Sequence, residues 1–306
     1  MSDDRRGRTQ LFGDWRDGRI YNEDPHVTTG STFWVDSVTG TDAAYYGWNP
    51  EAPVATLDYA VGLCTHDKHD QIMIMPTHTE TVAAAAGIVL DVRDVRIVGI
   101  GTGDNRPTIT FDGGGVDTAV DIDFDAADVT IENVVFVNTE DGALAPIDVN
   151  AAYCGMFNCK FVDDGTDVTI DWIDLDANAD YFELLDCQHF GTATAGADSF
   201  ITMADCQSPT IKNLTSDGDF AAANIEMTAA ALDVLFENCD LDNLNAIDVN
   251  VECFANATGW LVKNSCKIAT DAQTTWYNTP GETCSFHCYG VNDDGETGIL
   301  VAAPSV

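Results

Sequence analysis

Carboxylates are the residue type most able to do chemistry in this chain. Asp121, Asp148 and Asp174 each follow an apolar residue in the short alternating stretches AVDID (119–123), PIDVN (146–150) and WIDLD (172–176). If the leading Val120, Ile147 and Ile173 point inward, alternation puts the three acids outward on one face. Stacked about 5 Å apart on adjacent strands, they would stand near the spacing of a retaining glycosidase pair. A catalytic pair also needs a cleft and a raised pKa. The simpler expectation is a solvated acidic wall, where repulsion between stacked like charges favours Ca²⁺, Mg²⁺ or K⁺.

Other chemistry-bearing residues are fewer. His66, Asp67, His69, Asp70, His78 and Glu80 form a metal or acid–base candidate, although the same residues suit a polar loop ahead of a strand. DIDFDAADVTIE (121–132) has acids at positions 1, 3, 5 and 12 of a calcium-hand loop. Ala126 stands where that loop needs Gly, and strand patterning replaces the flanking helices, so the match is read as coincidence. GxSxG, HExxH and phosphate-binding loops do not occur.

The elements that must position these residues repeat. VTIENVVF, GMFNCKF, FELLDCQHF, TIKNLTS, LFENCDL and LVKNSCKI each hold a short apolar strand, a polar bend residue and a second short strand. The bend falls at Asn133, Asn158, Asp186, Asn213, Asn238 and Asn264, and a second set of strands recurs between the bends at the same period. A unit of ~26 residues with two or three short strands and no helical stretch describes a parallel β-helix. A β-sandwich would show turn signals every ~8–12 residues instead. Asn tolerates left-handed backbone geometry and can both donate to and accept from its equivalent one coil away, so the bend residues are read as a structural ladder. Cysteines at equivalent inward positions, with no CxxC pair, read mostly as free stacked thiols.

Composition bounds the partners. The 306 residues carry 51 acids against 13 bases, a formal charge of −38, with 40 Asp to 11 Glu and five Lys. Such a surface repels nucleic acid and anionic membrane, so neither is an expected partner. Self-repulsion of this size is relieved by molar salt, which points to a halophilic setting. The amino end is charged and does not read as a signal peptide, and no apolar run approaches a membrane span. Residues 1–30 hold five of the eight arginines and are near neutral. Arg5, Arg6, Arg8, Phe12, Trp15, Arg16 and Arg19 make that stretch an extended docking arm, since Arg and Trp favour contact sites.

FWVDSVTGTD (33–42), Gly47, PVATLDYAVGLC (53–64) and DQIMIMPTHTE (70–80) resemble the opening segment of right-handed parallel β-helix proteins of the pectin-lyase-like class. The resemblance implies a first strand, a Gly/Asp turn, a short capping helix and the first coil strand, and it implies the right hand of the coil. The expected fold is therefore all-β: a single-stranded right-handed parallel β-helix of ~26-residue coils with a capping helix and an N-terminal arm. Residues 1–30 form the arm, 31–80 the opening strand and capping helix, and 81–306 the coils with a C-terminal cap. VDSVTGTD, PVATLDYAVGLC, the IDVN strands and NDDGETG (292–298) also resemble short β-helix structural proteins of tailed viruses, with haloarchaeal viruses the best match to the acidic composition.

The fold hosts lyases, hydrolases, tailspikes and inert virion parts, so function must come from the site. The class's lyases use an Arg or Lys base, yet residues 107–306 contain no Arg and only Lys160, Lys212, Lys263 and Lys267. By the register above, Trp172 and Phe200 fall together on the outer face and offer a subunit interface. The expected role is a non-enzymatic capsid decoration or turret subunit on the outer surface of a halophilic tailed virus. It would be a homotrimer, held to the major capsid protein or a neighbouring virion protein by its arm, with no cofactor beyond bound Ca²⁺, Mg²⁺ or K⁺. The alternative is a host-glycan-binding or depolymerising tailspike-like protein, a carboxylate-dependent glycoside hydrolase.

Overall fold

The computed structural model describes residues 30–252, except 77, 84–86, 113–119, 140–144, 164–169, 193–195 and 245–249. Beyond these it gives the backbone of short strands at either end. The chain winds through three parallel sheets of ten, nine and eight strands, each coil adding one strand to each sheet. It is an all-β parallel β-solenoid with almost no helix.

Alternation explains the winding. In the ten-stranded sheet, Ile97, Ile131, Met156, Leu184, Ile211 and Phe236 are register partners on successive coils and all point inward. Ile122, Ile147, Ile173, Ile201, Ile225 and Val251 form the equivalent column of the eight-stranded sheet. Phe111, Phe136 and Phe161 stack within the core. A single coil has no partner for such a face, so each is stabilised by its neighbours; truncating one buried Ile to Ala costs about 2–5 kcal/mol.

The bends use left-handed geometry. Asn133, Asn158, Asp186, Asn213 and Asn238 all have φ between 51° and 61°. Asn158 Nδ2 donates to Asn133 Oδ1 (3.0 Å), Asn213 to Asp186 (2.6 Å) and Asn238 to Asn213 (2.7 Å). Asp186 has no donor to offer Asn158, so the ladder runs in two pieces. Asn133 closes the first piece on the carbonyls of Gly99 and Gly101. Gly99 admits no side chain there, since a Cβ would sit 2.4 Å from the Asn133 carbonyl oxygen. Asn264 lies outside the described residues.

A short helix, Leu57–Val61, packs Leu57, Ala60 and Val61 into the core near the first coils. Thr56 caps its N-terminus by accepting from the Tyr59 amide, and Asp42 in turn accepts from the Thr56 hydroxyl. In the N-terminal stretch, Asp14–Arg16 and Arg19–Tyr21 pair antiparallel, with Trp15 opposite Ile20 and Arg16 opposite Arg19. Arg5, Arg6, Arg8 and Phe12 lie outside the described residues. No described helix is long and apolar enough to cross a membrane.

Candidate functional site

The outer face of the eight-stranded sheet gathers the chemistry. Asp148 on strand Ile147–Val149 has Asp123 as register partner on one side and Asp174 on the other. The next rungs are Thr202, Glu226 and Glu252. Asp176 follows the strand Asp171–Leu175, its amide tied to the Val149 carbonyl at 3.1 Å. One carboxylate oxygen each from Asp148, Asp174 and Asp176 lies within 4.8 Å of the others.

These carboxyls are unequal. Burial, then the charges of Asp176, Asp123 and Asp174, push Asp148 up to about 7, and its Oδ1 has no hydrogen-bond partner. Asp174 is also raised by burial, but the Thr202 hydroxyl donates to its Oδ1 at 2.9 Å and favours the ionised form. Burial and Asp125 raise Asp123. At the start of the same strand as Asp174, burial together with Glu226, Asp174 and Asp198 pushes Asp171 up to about 8. Ser199 Oγ donates to Glu226 at 3.0 Å beside it. Two carboxyls of one sheet face therefore titrate near neutrality, next to others better able to ionise. This is the arrangement acid–base catalysis needs. The three convergent oxygens could equally coordinate a hard divalent cation.

Two expectations are corrected by one feature of the corner leading into this sheet. Asp121, Pro146, Trp172, Phe200, Asn224 and Asn250 each immediately precede an inward Ile or Val, and all six are buried. Strand pairing skips this position: Asp171 pairs with Ser199 and Ile173 with Ile201. Alternation breaks there, placing two consecutive side chains inside. Trp172 and Phe200 are therefore fully buried core residues and present no subunit surface. The residue argument for a trimer goes with them. Asp121 is likewise buried, and its place in the outer ladder is taken by Asp123, because Ile122 and not Val120 faces Ile147.

Trp172 Nε1 donates to Asp163 at 3.1 Å, while His189 lies 3.7 Å from Asp163 and 3.1 Å from Ser216 Oγ. Ser, His and Asp in series resemble a nucleophilic triad. All three are buried in the core, out of reach of a substrate, and so serve as an internal polar network.

The histidine-rich group near the N-terminus is dispersed among structural tasks. His78 is buried, accepting from the Ser37 amide through Nδ1 and facing Glu80 at 3.2 Å through Nε2. Glu80 accepts from the Leu57 amide at the start of the capping helix. His66 accepts from the Arg93 amide, His69 pairs with Asp94, and Asp70 holds the Ser31 and Thr65 amides. Cys64, Cys154, Cys159, Cys187, Cys206 and Cys239 are free thiols; burial pushes Cys64 and Cys206 up to about 12 and Cys154 up to about 11.

Sequence reasoning missed a second left-handed column. Asp128, Tyr153, Tyr181, Ser208 and Asp233 have φ between 55° and 61°, and each stands five residues before a ladder Asn or Asp. Residue types differ along this column, so its only sequence signal is that constant offset.

No protein-family model matches the chain, and no curated protein matches it by sequence. Among solved structures, it is similar to the native GH136 lacto-N-biosidase from Eubacterium ramulus, with 14% identity over 87% of this chain and 66% of that one (TM-score 0.52). The selenomethionine derivative of that protein aligns with 12% identity over 86% and 68% (TM-score 0.49). A rhamnogalacturonan lyase aligns with 9% identity over 89% and 90% (TM-score 0.47). The chain thus spans about two thirds of the lacto-N-biosidase, and at these identities the likeness is one of fold.

The expectation of a non-enzymatic part is overturned. A solved structure that the chain resembles, the lacto-N-biosidase, is an enzyme by name. The wall expected to be merely solvated also holds carboxyls that titrate near neutrality.

Proposed function

We propose that the protein is a glycoside hydrolase in which Asp148 is the general acid–base and Asp174 the nucleophile. The observation that carries this reading is the pairing of a carboxyl at about 7, whose Oδ1 has no hydrogen-bond partner, with a hydroxyl-bonded neighbour in direct register. Their close spacing fits the retaining geometry of about 5–5.5 Å better than the wider inverting one. Asp148 would donate its proton to the glycosidic oxygen as Asp174 attacks the anomeric carbon. Water would then release the sugar from Asp174, with Asp148 taking the water proton.

Hydrolysis fits the site better than elimination. No described strand of the eight-stranded sheet contains Lys, Arg or His, the residue types that would neutralise a uronate and remove its α-proton. The likeness to a lacto-N-biosidase supports a carbohydrate substrate in the same direction.

In the fuller reading, the enzyme is a spike on the surface of a halophilic tailed virus, acting on host surface glycan. Support for the setting comes from the −38 charge and Lys depletion, and for the mount from the Arg- and Trp-bearing residues 1–30. The partner would be a neighbouring virion protein. Release of reducing ends from a glycan panel by the wild type, reduced about 10²–10⁴-fold in Asp148→Asn, is the expected result. Turnover at the wild-type rate in Asp148→Asn or Asp174→Asn would remove the assignment.

A further inference from the structure

Two exposed tyrosines stand in the turns that follow two of the acid-bearing strands. Tyr153 and Tyr181 are 55% and 46% exposed, and their rings lie parallel within 1° at a centroid distance of 4.9 Å. Both occupy the left-handed column, at φ 61° and 59°, a conformation that is unfavourable for a bulky aromatic residue. Equivalent positions elsewhere in the column are Asp128, Ser208 and Asp233, which accept that geometry more readily or are smaller.

Their placement ties them to the carboxylates. Tyr153 follows Asp148 by five residues, and Tyr181 follows Asp176 by the same number. The two connecting loops are joined by Asn178 Nδ2 donating to Asn150 Oδ1 at 2.8 Å, three residues ahead of each tyrosine. Asp180 Oδ1, on the same coil as Tyr181, accepts from the amide of Gln207 on the next coil. The rung after Tyr181 is Ser208, reached through the Tyr181 amide on the Gln207 carbonyl. A serine side chain is too short to continue the ring stack.

We propose that Tyr153 and Tyr181 form a sugar-binding platform, and that the glycan it takes is neutral and not a polyuronate. The proposal rests on the glycoside hydrolase reading and names the substrate class of that site. A pyranose laid on the free end of the stack above Ser208 would present its axial C–H bonds to the negative face of the Tyr181 ring. The Asn150–Asn178 pair, Gln207 and Asp180 supply hydroxyl partners around it. Charge decides the class: Asp148, Asp174, Asp176 and Asp180 share these two coils, and Arg93 is already paired with Asp128, the rung before Tyr153, so a uronate entering here would meet mainly carboxylates. A protein partner fits less well. Two rings fall far short of the ~800 Å² per side of a stable interface, and the other exposed large apolar residues (Val38, Tyr45, Trp48 and Phe190) belong to other segments.

The test measures binding separately from turnover. Asp148→Asn protein is titrated with neutral hexose and N-acetylhexosamine oligosaccharides and, separately, with oligogalacturonate. Tyr181→Ala, Tyr153→Ala and Tyr181→Phe are then added in the same background. Expected is binding of a neutral oligosaccharide, weakened about 3- to 10-fold by either alanine and retained by phenylalanine, with no binding of oligogalacturonate. Unchanged affinity in both alanine variants, or tighter binding of oligogalacturonate, overturns the platform and leaves the hydrolase assignment standing. Tyrosine-dependent binding without any turnover by the wild type supports the platform and removes the hydrolase. Matching melting curves for the alanine and phenylalanine variants ensure that lost binding is not lost folding.

Discussion

Asp148 and Asp174 are direct register partners on adjacent parallel strands, yet Asp174 accepts a hydroxyl from Thr202 while Asp148 Oδ1 accepts nothing. Two chemically identical side chains on one sheet face are thereby set apart. One is poised to give a proton, the other to carry charge.

Activity should therefore fall as pH rises through about 7, because Asp148 must be protonated to act as the acid. A pH–rate profile on the best glycan of the panel measures this limb. Thr202→Val, which removes the donor to Asp174, should lower kcat by about 10-fold while leaving binding nearly intact. Flat activity from pH 6 to 9 would be inconsistent with Asp148 as the acid.

Stability should run the same way with pH. Asp148 and Asp171 have folded pKa values of about 7 and about 8, above the unfolded value of 3.8. Between 3.8 and those values the folded state binds more protons than the unfolded one, so its stability falls as pH rises. Melting temperature should decline from pH 5 to 9. Asp171→Asn should raise it by about 2–4 °C at pH 8.5 and change it little at pH 4. A higher melting temperature at pH 8.5 than at pH 5 would contradict this.

Ions should act on the wall before they act on the chemistry. Self-repulsion among stacked carboxylates is screened at ~1 M salt, where the Debye length is about 3 Å, so the melting temperature should climb between low and molar NaCl. If Asp148 acts through its proton, EDTA should leave turnover unchanged. Loss of activity with EDTA, restored by Ca²⁺, would reassign Asp148, Asp174 and Asp176 as a cation site.

The bend ladder offers a test of the scaffold. Asn213 sits at φ 53°, donating to Asp186 and accepting from Asn238. Asn213→Ala should cost about 1–2 kcal/mol, chiefly from the left-handed backbone, whereas Asn213→Gly should cost less. Urea unfolding of the two variants separates geometry from hydrogen bonding; an equal loss in both would mean that the amide contacts dominate.

The solenoid was legible because its signal is repeated. Asn133, Asn158, Asp186, Asn213 and Asn238 mark one structural position with one kind of side chain, and the inward Ile column reports alternation at the same period. The acid ladder was legible in its middle, at Asp148 and Asp174, but not in its first member. AVDID holds two apolar residues of equal parity, so Val120 and Ile122 could not be told apart from pattern alone, and Asp121 stood in for Asp123. Burial of Trp172 and Phe200 was not legible, because alternation breaks at the sheet corner and a period-two pattern carries no mark of the break. Nor do residue types reveal proton affinity: Asp148 reaches about 7 through burial and four neighbouring carboxylates that only the folded coil assembles.

The most direct measurement is a carboxyl ¹³C NMR titration of the wild type beside Asp148→Asn. Expected is one aspartate resonance with a midpoint near 7 that vanishes in the variant, while Asp171 supplies another near 8. If every aspartate instead titrates in the ordinary acidic range, the sheet face is a passive charged surface and the catalytic assignment fails.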